Sequence, residues 1–163
     1  MISIALYQPE IPQNTGNIAR LAVGLDIDLY LIGKLGFSLD DRYLKRAGLD
    51  YWEHLKLTIC KDMEEFERLT AGRRKILGTT KGAAPYYEFE YQDGDIIILG
   101  QESCGLPKDY LMANLETSVT IPMPGKVRSL NLSNSAAILA YDALGRTGYF
   151  EGFQKNRNYF TEL

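Results

Sequence analysis

Arg20 follows Asn17 by three residues, so a helix through both would put the two side chains on one face. They end the run Gln8-Pro9-Glu10-Ile11-Pro12-Gln13-Asn14-Thr15-Gly16-Asn17-Ile18-Ala19-Arg20. Its prolines stiffen a loop, and Asn14 or Thr15 is placed to cap a helix spanning Gly16–Leu25. A cation near a helix start opposes the macrodipole, which points to another duty for Arg20. Its planar fork suits a phosphate or a carboxylate. A second run is Leu99-Gly100-Gln101-Glu102-Ser103-Cys104-Gly105-Leu106-Pro107. Gly100 would let a ligand approach the backbone, Gly105 permits a positive φ, and Pro107 suits the first position of a new helix. Glu102 there reads as a base, a hydrogen-bond acceptor or an ordinary turn carboxylate. Ser103 and Cys104 lack a nearby base, because the only histidine, His54, lies in an unrelated helical stretch. The third run, Ile121 to Ser135, joins a proline-stiffened strand exit to a basic loop (Lys126, Arg128) and a helix start bearing Ser129, Asn131, Ser133, Asn134 and Ser135. One helix cap does not need so many side-chain donors and acceptors.

These runs need a scaffold. Apolar stretches at Ile2–Tyr7, Leu29–Ile32, Leu55–Ile59, Lys75–Thr79, Asp95–Leu99 and Ser118–Ile121 read as buried strands. Helical patterns at Gly16–Leu25, Asp40–Ala47, Asp62–Leu69, Lys108–Asn114 and Asn131–Arg146 lie between or after them. The alternation predicts an α/β fold, a parallel sheet with helices on both faces. In such a sheet ligands bind beyond the carboxyl ends of the strands, where all three polar runs fall.

The chain has 163 residues, 45% hydrophobic and 24% charged, which suits one domain over residues 1–150 followed by an aromatic tail, 151–163. Cys60 and Cys104 are far apart and form no CxxC, which argues against a zinc site and a disulfide framework. The first run has one glycine where a dinucleotide fingerprint has three, which disfavours an NAD enzyme. No signal peptide or membrane-spanning run is present, so a cytoplasmic protein is expected. A net charge of −3 weighs against nucleic acid, but the cations are bunched at Arg42, Lys45 and Arg46, at Arg73, Arg74 and Lys75, and at Lys126 and Arg128. Each bunch is either a local patch for an anion or ordinary solvated surface.

Nearly the whole chain resembles the SPOUT (TrmH-like) RNA 2′-O-ribose methyltransferases, in particular the small TrmL/CspR-like group acting on the tRNA wobble nucleotide. Pro9-Glu10-Ile11-Pro12-Gln13-Asn14-Thr15-Gly16-Asn17-Ile18 and Ser129-Leu130-Asn131-Leu132-Ser133-Asn134 carry the resemblance. Leu35-Gly36-Phe37, Arg46-Ala47-Gly48-Leu49-Asp50-Tyr51 and Thr79-Thr80-Lys81-Gly82 add to it. The resemblance implies a C-terminal trefoil knot that binds S-adenosyl-L-methionine, contacted by Gly78, Thr79, Leu99, Gly100, Ile121, Met123, Ser129, Leu130 and Asn134. It implies a homodimer with the active site near the interface, to which the helix carrying Tyr141 contributes. It implies catalytic roles for Arg20, Asn17, Glu102 and Ser133, and RNA contacts from Arg20, Arg46, Lys81, Lys126 and Arg128. The substrate implied is a tRNA anticodon stem-loop, at a cytidine or modified uridine in position 34, with leucine tRNA suggested. An arginine keeps its proton at neutral pH, so a phosphate clamp is a more conservative role for Arg20 than a base. The resembled pattern often reads Gly-Pro-Glu-Thr-Arg-Gly where this chain has Gly-Gln-Glu-Ser-Cys-Gly, so Cys104 replaces a cation. The alternatives are the same reaction at another tRNA or rRNA position, or an inactive RNA-binding protein of this fold.

Overall fold

The computed structural model describes residues 1–38 and 52–152. The expected helix Asp40–Ala47, the cations Arg42, Lys45 and Arg46, and the tail aromatics Phe153, Tyr159 and Phe160 lie outside the described residues. In chain order the elements are β1 (Ser3–Tyr7), α1 (Pro12–Gly24), β2 (Leu29–Ile32), β3 (Leu57–Cys60), α2 (Met63–Leu69) and β4 (Lys75–Gly78). They continue with β5 (Ala84–Pro85), β6 (Ile96–Leu99), α3 (Lys108–Ala113), β7 (Ser118–Thr120) and α4 (Leu132–Arg146). The strands form one seven-stranded sheet ordered β3-β2-β1-β6-β4-β7-β5, and every pairing is parallel.

Strand periodicity decides what each face buries. Along β6, Ile97 and Leu99 join a core with Ile18 and Ala22 of α1 and Leu139 and Ala143 of α4. Ile96 and Ile98 point the other way, into a second core with Phe66 of α2, against which Tyr110 of α3 packs. A strand buried on both sides must be apolar at every position, as Ile-Ile-Ile-Leu is. Each such side chain contributes about 1.5–3 kcal/mol on burial.

Three boundaries differ from the sequence reading for identifiable reasons. Helix α1 begins at Pro12, not Gly16, because a proline fits the first helical position, where the N–H is orphaned anyway. Neither Asn14 nor Thr15 caps it: Ile11 is the cap residue and has no side-chain cap bond. The Thr15 hydroxyl is buried without a hydrogen-bond partner. Pro107, expected at the first helical position, is instead the cap residue of α3, which begins one place later at Lys108. Strand β5 has two residues, one of them proline, too short for a periodic signal. By contrast Asp62 and Asn131 cap α2 and α4 as their types suggest, accepting from Glu65 N and Ser133 N, both at 2.9 Å.

The Arg73-Arg74-Lys75 bunch is spent inside the molecule and offers no patch. Arg73 donates to Gly94 O at 2.9 Å and to Ser3 Oγ at 2.8 Å. Arg74 grips the buried Asp95 carboxylate with Nε at 2.9 Å and Nη2 at 2.7 Å. Lys75 reaches Glu67 at 3.0 Å and Thr70 O at 2.9 Å.

Between β4 and β5 the chain crosses over β7. Gly78 and Ala84 both pair with Val119, from opposite sides. Thr79 N donates to Val119 O at 3.0 Å, and Ala83 N donates to Ser118 O at 3.1 Å. At Gly82 the crossing strap lies so close that an added Cβ would overlap the Val119–Thr120 backbone. Gly82→Ala is therefore expected to cost about 1–3 kcal/mol in urea unfolding. Gly145→Ala, which meets nothing within 4 Å, should be neutral or slightly stabilising. Equal midpoints for the two variants would contradict the close crossing.

Both cysteines are free. Cys60 is fully buried, and burial, helped by Glu65 and Asp62, pushes its thiol pKa up, whereas Cys104 is exposed. A thiol-specific disulfide reagent should therefore titrate one thiol quickly in the native protein and the second only on unfolding. Two fast thiols would show that the Cys60 environment opens. Among the described residues, no helix is long and apolar enough to cross a membrane.

Candidate active site

Sheet order brings the three polar runs together. Strands β1, β6, β4 and β7 are consecutive neighbours, so the segments leaving their carboxyl ends lie side by side. Side-chain hydrogen bonds then tie the runs into one unit. Glu102 Oε2 accepts from Glu10 N at 2.8 Å, and its Oε1 accepts from Ile11 N at 3.3 Å and from Asn14 Nδ2 at 3.0 Å. A carboxylate from the second run thus meets the entry of α1, where the helix's own side chains provide no cap. Glu10 answers in the other direction, accepting from Ser103 N at 2.9 Å and from Ser103 Oγ at 2.8 Å.

Asn14, 4% exposed, passes the connection to the third run. Its Oδ1 accepts from Asn131 Nδ2 at 2.8 Å, and Asn131 Oδ1 accepts from Ser133 Oγ at 2.7 Å. The direction of every donor follows from the carboxylate at one end, since an ionised Glu102 can only accept. The Ser133 hydroxyl is thereby the donor in its bond to Asn131.

On the outer side of this unit a groove of about 420 Å³ runs between α1 and α4. Its walls are Asn17, Arg20, Leu21 and Gly24 from α1 and Ser133, Asn134, Ala137 and Tyr141 from α4. Both sets follow helical spacing, so each is a single stripe on its helix. Three of the expected catalytic residues, Asn17, Arg20 and Ser133, meet here. The fourth, Glu102, does not line the groove but is joined to Ser133 by hydrogen bonds through Asn14 and Asn131. Asn134, expected at the cofactor, lies on this groove as well.

The other expected cofactor residues collect at the neighbouring strand ends. Gly78 pairs with Leu99 and with Val119, which brings the exits of β4, β6 and β7 level. Among the described residues no hydrogen bond joins the backbone of residues 122–130 to the rest of the chain. The loop carries half-buried Ile121, Met123 and Leu130 beside exposed Ser129. Apolar side chains with uncommitted backbone donors and acceptors fit an adenosine-bearing cofactor. One expectation changes: the close approach at Gly100 is made by the protein itself. An added Cβ there would strike the Gly105–Leu106 backbone, and Gln101 and Gly105 form a two-way backbone bridge at 3.1 and 2.8 Å. Gly105 does take a positive φ, +74°. Lys81, Lys126 and Arg128 are exposed on the loops after β4 and β7, and Arg46 lies outside the described residues.

Sequence reasoning missed Asn14 and Asn131 as members of the site. Asn14 reads as a helix cap and Asn131 as one of a polar cluster at a helix start, and only the three-dimensional contact reveals the Asn–Asn bridge. Tyr141, on the helix expected to contribute to a subunit interface, lines the groove.

An all-parallel α/β sheet with its polar segments gathered at the carboxyl edge, and a groove of asparagine, arginine and serine beside it, defines a ligand site at the strand exits. The chain belongs to the SpoU rRNA Methylase family, whose model matches residues 1–141. It is similar to the tRNA (cytidine(34)-2′-O)-methyltransferase of Methylovorus glucosotrophus, 47% identical over 88% of this chain and 94% of that protein. The enzyme of the same name from Escherichia coli K12 is 42% identical over 91% of this chain and 96% of its own. A solved structure concerned with the 2-OH methylation of C/U34 on tRNA superposes with a TM-score of 0.86 at 44% identity, covering 90% of this chain and 95% of that one.

Proposed function

We propose that this protein transfers a methyl group from S-adenosyl-L-methionine to the ribose 2′-hydroxyl of the wobble nucleotide, a cytidine or modified uridine at position 34 of a tRNA. The observation that carries the reading is the convergence of Asn17, Arg20 and Ser133 in one groove beside the glycine-bearing strand ends. Relatives at 42% and 47% identity over most of the chain bear the name of this reaction.

When bound, the cofactor would supply an electrophilic methyl group at the strand ends, where backbone groups of 78–79, 99 and 121–130 would hold it. Ser133, whose hydroxyl donates to Asn131, would accept a hydrogen bond from the 2′-hydroxyl and so aim an oxygen lone pair at the methyl carbon; as the oxygen–carbon bond forms and the carbon–sulfur bond breaks, the hydroxyl proton would leave to water in the open groove. Arg20 binds the phosphate beside the target ribose and stabilises the charge that builds on the oxygen. Asn17, one turn away on the same face, fixes the ribose. Glu102 keeps α1 and α4 in register as a positioning residue. Lys81, Lys126 and Arg128, with Arg46, hold the backbone of the anticodon stem-loop, which lets an acidic chain bind RNA through local patches.

A cytoplasmic homodimer completes the reading. With the α1/α4 face turned toward the partner, the open groove becomes a cleft between subunits, deep enough for a nucleotide. Leucine tRNAs are the proposed substrates. Mapping 2′-O-methyl groups in tRNA from a deletion strain tests the assignment: position 34 should lose its methyl group while other sites keep theirs. Unchanged methylation at position 34 would refute it.

A further inference from the structure

The cations of the described residues divide by where they sit. Ahead of the strands and on the outer helices they are held. Lys56, just before β3, pairs with Asp26 at 2.7 Å, and Arg146, ending α4, pairs with Asp142 at 2.9 Å. Arg68 of α2 lies 3.6 Å from Glu65, and Arg73, Arg74 and Lys75 are spent at the start of β4. The loops that leave the carboxyl ends are different. Lys34 follows β2, Lys81 follows β4, Lys108 follows β6 and opens α3, and Lys126 and Arg128 follow β7. These side chains are all exposed, and among the described residues no hydrogen bond or ion pair holds any of them. The acids at the exits of β1 and β6 are turned inward: Glu10 accepts from Ser103 N and Oγ, and Glu102 from the N–H groups of Glu10 and Ile11. Lys61, after β3, marks the limit of the row, since Asp62 lies 3.9 Å away and Glu64 and Glu65 follow.

Strands β2, β1, β6, β4 and β7 are consecutive in the sheet, so the row follows the carboxyl edge for roughly 19 Å at the usual strand spacing. Like charges kept unneutralised in a row repel one another, and a polyanion laid along them relieves that cost. We infer that Lys34 and Lys108 are phosphate contacts, which extend the track of the RNA backbone from β7 past the groove to the exit of β2. This rests on the RNA-methylating reading above and adds two contacts and a direction. Lys108 opens a helix packed on the sheet face opposite α1 and α4, because Leu106 and Tyr110 pack against the core of Ile96, Ile98 and Phe66. Lys34 lies on neither α1 nor α4. Both therefore stand clear of the α1/α4 face that is turned to the partner. Lysine holds a phosphate as a point charge and reads no base, so these contacts set affinity and register and leave the choice of nucleotide to the groove.

The test measures binding of an anticodon stem-loop RNA by fluorescence anisotropy over a series of salt concentrations. Lys34→Gln and Lys108→Gln should each raise Kd about 3- to 10-fold at low salt and flatten the slope of log affinity against log salt by about 0.7–0.9. The double variant should show both slope changes together. Lys56→Gln removes the same charge from the amino edge and should bind within about twofold of wild type. Wild-type affinity in either the Lys34 or the Lys108 variant, or a loss of affinity with an unchanged salt slope, would overturn the inference. So would an equal loss in Lys56→Gln, which would mean that only net charge matters. A wild-type protein that binds the RNA but transfers no methyl group to it would instead refute the underlying reaction, and the same binding comparison would still decide the two lysines. Absence of RNA binding by the wild type at low salt overturns the inference.

Discussion

Replacing Arg20 by alanine is expected to slow single-turnover methyl transfer by about 10²–10³-fold at saturating RNA and cofactor, with the fold intact. Arg20 is exposed on α1 and lies on the groove beside Asn17, across from Ser133. A fixed cation there is worth most when the attacking oxygen carries its developing charge, so the loss should fall on the chemical step more than on RNA affinity. Arg20→Lys keeps the charge but loses the planar fork, and should recover only part of the rate. Urea midpoints for both variants should match wild type, since an exposed side chain adds little to stability. A wild-type transfer rate for Arg20→Ala would remove the residue from the mechanism.

Glu102→Ala is the other large effect, and it should appear first as instability. The change leaves Glu10 N, Ile11 N and Asn14 Nδ2 without their acceptor and strips the negative charge from the start of α1. Hydrogen bonds to a charged group and the exposure of stranded donors together put the cost at about 2–3 kcal/mol. Methyl transfer should also fall, because the Asn14–Asn131–Ser133 chain loses the end that sets its direction. Glu102→Gln keeps one acceptor oxygen and should lose less of both. A Glu102→Ala protein as stable as wild type but inactive would mean that Glu102 acts on substrate directly. Retained stability and retained activity would mean that the network carries neither.

The sequence disclosed most where local pattern and tertiary role agree. The run Ile96 to Leu99 is apolar at every position because both sheet faces bury it, and the strand was legible for that reason. Asn131 followed by a small apolar run announced the start of α4, and the structure places it there. The position of the polar runs at strand exits followed from the alternation of strands and helices. The family resemblance then supplied the reaction, which no spacing of residues here encodes.

What escaped the sequence depends on contacts between distant segments. Asn14 looks like a cap, but Pro12 starts the helix and frees the asparagine side chain to bridge Glu102 and Asn131. Arg73, Arg74 and Lys75 look like a patch until the Asp95 and Glu67 carboxylates are placed beside them. Gly100 looks open to ligands, but the chain's own return at Gly105 and Leu106 fills that space. Gly82 belongs to a stretch that carries the resemblance, but its steric role had no local signal, because the need for a missing side chain comes from β7, more than 30 residues later.

The most direct test of the central claim uses a tRNA in which only the 2′-hydroxyl at position 34 is replaced by hydrogen. Wild-type protein and methyl-labelled S-adenosyl-L-methionine are incubated with this RNA and with its all-ribose counterpart. The label should enter the ribose of residue 34 in the normal tRNA and be absent from the deoxy form. Equal labelling of the two RNAs would contradict the account, because it would place the methyl group elsewhere than on the hydroxyl that Ser133 and Arg20 are held to address.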